Sequence, residues 1–163
     1  MKPRKTLTYQ EALSRAANLC DKCEQCSPDI IKKLDSWGLS SADSRKVIKT
    51  LEELNYLDDN RFAHAYAHDK MAYSGWGRRK IIQGLWAKRL PRDIIDGACD
   101  LLDEDEYNAV AVKVVKSKIR SMEPWGATYE DKMKVLRHAA QRGFEPSLIV
   151  SILNRIIKGD EDC

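Results

Sequence analysis

Apolar residues along this chain recur at the three-and-four spacing of helices rather than the alternation of strands. Val47, Ile48, Leu51 and Leu54 lie on one helical face, and Ile149, Ile152, Leu153 and Ile156 lie on another. Start signals fall where that pattern needs them. Thr8-Tyr-Gln-Glu11 has the form of a capping box, in which hydroxyl and carboxylate each satisfy a free backbone N–H. Ser27-Pro28 places a capping hydroxyl before a first-turn proline, Ser40 precedes the next periodic stretch, and Pro91 and Pro146 stand near later starts. No stretch alternates convincingly. The pattern predicts an all-α protein.

Comparing the chain with itself predicts how those helices are organised. A shift of 51 residues places Ile30, Ile31, Leu34 and Leu39 on Ile81, Ile82, Leu85 and Leu90, and a further shift of 54 reaches Val135, Leu136, Ala139 and Phe144. The same offsets carry Val47 to Ala98 to Ile152, and Leu51 to Leu102 to Ile156. The register holds across two helices and the turn between them. It predicts three repeats, near residues 8–57, 58–105 and 106–158, each a longer helix followed by two shorter ones. Units of this size cannot bury their apolar faces alone, so they are expected to stack into an elongated array that offers a long surface rather than a catalytic cleft.

Composition changes this picture little. At 163 residues, with only 8 Gly and 5 Pro and no low-complexity tract, the sequence predicts an ordered domain with a real core. No apolar run approaches the roughly 20 residues of a membrane span. The basic start MKPRKTLTYQEAL lacks the apolar centre of a secretory signal. A cytoplasmic location follows as an expectation, and the 5 cysteines are then read as reduced thiols rather than a disulfide framework.

Charge distribution says more than the net +3. Lys70, Arg78, Arg79, Lys80, Lys88, Arg89 and Arg92 fall in one stretch without an acidic residue, whereas Asp100–Glu106 holds five acids and no base. Such a stretch is either a solvated face or an electrostatic footprint for nucleic acid or an acidic partner.

Catalytic and metal chemistry find little support. The glycine-rich stretch GWGRRK lacks the GxxxxGK[ST] pattern and the βα context of a phosphate loop. Cys20, Cys23 and Cys26 have spacing at which thiolates can share an ion, but no fourth ligand stands at a motif spacing. His64 and His68 share a helix face without a zinc-protease glutamate. No metal, no cofactor and no enzymatic activity are expected.

The sharpest local question is Tyr73–Leu85, YSGWGRRKIIQGL. Gly75 and Gly77 end one helix, Trp76 covers the joint and Arg78 starts the next. That places Arg78, Arg79 and Lys80 in a first helical turn, where the macrodipole disfavours cations by a few tenths of a kcal/mol each. Exposed cations and exposed N–H groups there would suit an anion held by both. The expectation is a joint with exposed basic side chains and a binding role.

The run from Leu51 to Leu90, LEELNYLDDNRFAHAYAHDKMAYSGWGRRKIIQGLWAKRL, resembles the signature of the RecX regulatory proteins: a leucine-rich helix ending in Tyr-Leu-Asp-Asp, then Arg-Phe-Ala, then a glycine-containing joint with basic residues and Ile. Ile31-Lys-Lys-Leu34 and Arg142-Gly-Phe144 extend the likeness over nearly the whole chain. The resemblance implies three tandem three-helix repeats. It also implies a non-enzymatic protein that binds the RecA recombinase filament on single-stranded DNA and restrains its ATPase and strand exchange. A monomer is expected, and weak direct binding of single- or double-stranded DNA is a further expectation. Candidate contact residues are Arg61, Lys70, Arg78, Arg79, Lys80, Lys88 and Arg89. A helix-turn-helix-like nucleic-acid module and a helical protein scaffold are the alternatives. The chain departs from the pattern in the three cysteines of its first unit and in the long joint Met122-Glu-Pro-Trp-Gly-Ala127.

Overall fold

The computed structural model describes residues 5–159. Among them are nine helices and no strand: α1 (Tyr9–Lys22), α2 (Ser27–Ser36), α3 (Ser41–Glu53), α4 (Asp59–Ala72), α5 (Arg78–Ala87), α6 (Arg92–Asp100), α7 (Glu104–Ser121), α8 (Tyr129–Gln141) and α9 (Pro146–Lys158). In each successive triple the first helix is the longest, at 14, 14 and 18 residues. The fold is an all-α helical repeat.

Burial follows the repeat register. Ile30, Ile81 and Val135 are buried, as are Leu34, Leu85 and Ala139, then Leu39, Leu90 and Phe144, and then Val47, Ala98 and Ile152. Leu51 and Leu102 are buried while Ile156 is half-buried, and Ile31, Ile82 and Leu136 sit at the edge of the apolar stripe. A stripe at every third or fourth residue has a centre and two margins, and the register reproduces both.

Local chemistry sets most helix starts. Thr8 and Glu11 form the expected capping box, and Ser40 accepts the Asp43 N–H. Pro146 opens α9, and the Pro91 carbonyl accepts the Ile95 N–H at the start of α6. The start of α2 departs from expectation. Cys26 is its capping residue but its side chain does not cap the helix backbone, while Ser27 is the first helical residue and its hydroxyl is buried without a hydrogen-bond partner. The Ser27 N–H instead donates to the Asp59 carboxylate at 2.7 Å. A partner 32 residues away leaves no trace in local sequence.

The chain divides into two compact units. Among the described residues, the first combines 5–65 with 85–97, and the second combines 66–84 with 98–159. In the first, α1 and α2 pack on α3 around Ala12, Ala16, Ile30, Leu34, Val47 and Leu51. Arg61 clasps it from α4: Nε donates to Glu24 Oε1 at 2.5 Å, and Nη2 donates to the Asn55 carbonyl at 3.2 Å. In the second unit, α7, α8 and α9 pack on one another, with the Tyr107 ring 5.4 Å from that of Phe144.

Candidate partner-binding surface

The joint between α4 and α5 lies wholly within the second unit. Gly75 takes the left-handed conformation (φ +66°), and the Trp76 N–H closes back on the Lys70 carbonyl at 3.0 Å, ending α4. Gly77 is needed for a different reason. A side chain there would run into the backbone of Gly143 and Phe144, because the joint lies directly against the α8–α9 turn. The Arg142 side chain fastens the same contact, donating to the Ser74 carbonyl at 2.9 Å.

Arg78 starts α5 as expected, but the first turn does not offer its N–H groups to a ligand. Gly77 N–H donates to the Arg142 carbonyl at 2.7 Å, Arg78 N–H to the Tyr107 hydroxyl at 3.0 Å, and Arg79 N–H to the Gly143 carbonyl at 3.1 Å. Nor is Arg78 exposed. Its side chain is 21% accessible, its guanidinium lies 4.0 Å over the Tyr107 ring, and it pairs with Glu104 and, at 3.8 Å, with Glu145. Burial, as the main cause, raises the Tyr107 phenol well above its ordinary value. It therefore stays protonated and donates to Glu145 Oε2 at 2.7 Å. Two carboxylates supply what the dipole of a helix start normally lacks when cations stand there. The expectation of an anion cradle at this turn is corrected accordingly: the acceptors are the chain's own.

The remaining basic residues divide in two. Lys88 donates to Asp29 Oδ2 at 2.6 Å and lies 6.0 Å over the Phe62 ring. Burial pushes the Asp29 carboxyl up, but hydrogen bonds from Lys88 and Cys26 outweigh it and hold the carboxyl below its usual value. Arg61, Arg78 and Lys88 thus work inside the fold. Arg79 and Arg89 are exposed and make no ion pair among the described residues. Lys70 and Lys80 bring their ammonium groups to 4.7 and 4.6 Å from the centre of the Trp76 ring, which also meets Tyr66 edge-on at 6.4 Å. Lys70, Trp76, Arg79 and Lys80 therefore gather at one joint, and Trp76 holds two of the cations there.

Among the described residues no group of three His, Cys, Asp or Glu side chains is placed to hold a metal. Cys23 is exposed, and burial pushes the Cys26 thiol up to about 11. His68 lies 3.3 Å from Glu106. No helix among the described residues is long and apolar enough to cross a membrane.

Profiles for two RecX domains match this chain: the second three-helix domain over residues 58–98 and the third over residues 104–153. Together they account for more than half of it. The chain belongs to the RecX family. Similar proteins include the regulatory protein RecX of Clostridioides difficile, 26% identical over 94% of this chain and 71% of that protein. That of Yersinia enterocolitica is 26% identical over 91% and 99%. That of Lactobacillus johnsonii is 27% identical over 82% of this chain, which spans about half (49%) of the relative. The crystal structure of RecX from Lactobacillus salivarius superposes with a TM-score of 0.83 over 92% of this chain and 97% of that one, at 18% identity, so the fold is that of RecX.

Proposed function

We propose that this chain is a RecX-type regulator that binds the RecA recombinase filament on single-stranded DNA and restrains its ATPase and strand-exchange activities. It works without catalysis, in the cytoplasm, as a monomer built of three repeats, near residues 8–57, 58–105 and 106–158. Family membership carries the reading, since the relatives are named regulatory proteins. The cations left free of internal ion pairs add support. Arg79, Lys80 and Lys70 around Trp76, and Arg89 elsewhere, suit a polyanionic filament contacted at several points, each worth little alone.

The test separates surface from fold. Arg79→Glu with Lys80→Glu should leave helical content unchanged and relieve inhibition of RecA ATPase on single-stranded DNA, and wild-type inhibition should fade as salt rises. Arg78→Glu should instead lower stability, since it faces Glu104 and Glu145 with a third carboxylate. Full inhibition by the folded double variant would remove this joint from the interface. Tight binding of naked DNA with no preference for the filament would replace the reading with a nucleic-acid module.

A further inference from the structure

Beside the α4–α5 joint, the second unit holds an open cavity of about 300 Å³. That is the lower end of the range for small-ligand sites, roughly 300–1,000 Å³. Val110 and Val114 of α7 form an apolar wall, and Lys113, His138 and Arg142 bring cationic or protonatable groups to it. No carboxylate lines it. Tyr73 stands at its edge and is 83% exposed, the most exposed large apolar side chain among the described residues. Arg142 is already fixed by the Ser74 carbonyl, so its guanidinium needs no ordering before it meets a ligand.

A purely structural cavity has no use for this combination. The Tyr73 ring meets His68 edge-on at 6.4 Å yet stays largely exposed, and grouped cations without a counter-charge repel one another. Burial, and then Arg142 and Lys118, hold the His138 imidazole below its ordinary value, as expected of a site with surplus positive potential. The missing partner must bring a flat apolar face and a negative charge together. We propose that this cavity binds one nucleotide unit, its base against Tyr73 and the valine wall and its phosphate on Lys113 and Arg142. The unit comes either from a free nucleotide or from a single strand. This inference does not rest on RecA binding and stands or falls separately from it.

Nuclear magnetic resonance titration of the intact chain tests it. Thymidine 5′-monophosphate should move the Val110 and Val114 methyl signals and the Tyr73 and His138 ring signals saturably. Thymidine alone and inorganic phosphate alone should each bind more weakly, by about fivefold or more. Tyr73→Ala and Lys113→Glu, both at exposed positions and checked for unchanged helicity by circular dichroism, should each weaken the mononucleotide by a similar factor. Hexathymidylate binding much more tightly than the mononucleotide assigns the site to a strand, and equal binding assigns it to a free nucleotide. Both support the pocket. Three outcomes overturn it: no saturable change into the tens of millimolar, phosphate alone binding as well as the nucleotide, or hexaglutamate moving the same signals as strongly, which would make it a seat for an acidic protein segment.

Discussion

The second helices of the three triples, α2, α5 and α8, close their N-termini in three different ways. α8 does so locally, with Thr128 and Asp131 in a capping box. α2 borrows a carboxylate from Asp59. α5 uses no cap of its own and leans on two carbonyls and a phenol from α7 and the α8–α9 turn. The difference explains where cations are tolerated. α8 has two acids in its first turn and α2 has one, whereas α5 has none and begins Arg-Arg-Lys. A helix whose first N–H groups are satisfied from outside does not need acids in its own sequence, provided that its neighbours carry them.

The comparison breaks most severely at Gly77. Gly77→Ala drives a methyl into the Gly143 backbone and should cost roughly 2–4 kcal/mol, read as a lower midpoint in urea. Gly97→Ala, inside α6 with open space around it, should be neutral or slightly stabilising. Next comes Tyr107→Phe. It leaves the Arg78 N–H without its acceptor and Glu145 without its donor, and should cost about 1–3 kcal/mol by the same measurement.

Those two positions also mark what was legible in the sequence. The apolar register and the caps of α1 and α3 were readable because a helix meets its cap three residues away and its own stripe every three or four. Arg78 was misjudged as exposed because its neutralising partner Glu104 lies 26 residues on. Ser27 was misjudged as a cap because Asp59 serves from another helix. The role of Arg142 as a tie to Ser74, 68 residues away, had no local signal at all. Of the candidate contact residues, sequence identified the charges correctly but could not say which were already spent on internal partners.

Two smaller effects sharpen the comparison. Asp59→Ala should cost about 1–2 kcal/mol, because the part-buried Ser27 N–H loses its acceptor, and Thr128→Ala about half as much, since water reaches the exposed start of α8. The smallest effect concerns His138. Its folded pKa lies below the ordinary 6.5, so the unfolded chain takes up the proton first as the medium becomes acidic. The contribution is complete above pH about 6.5 and declines as pH falls through the lowered folded value. His138→Gln should flatten the acid side of the stability profile, below pH about 6.5, measured by denaturant midpoints.

The borrowed closure of α5 has a consequence for how this helix opens. Amides in the first turn of a helix ordinarily exchange with solvent almost freely, having no carbonyl behind them. Those of Gly77, Arg78 and Arg79 are each held by an acceptor outside the helix. Fraying from that end is therefore blocked until the α8–α9 turn and Tyr107 let go together. Deuterium uptake at these three amides should consequently be slow and mutually matched, a clock for the release of a turn far along the chain rather than for the unwinding of α5 itself.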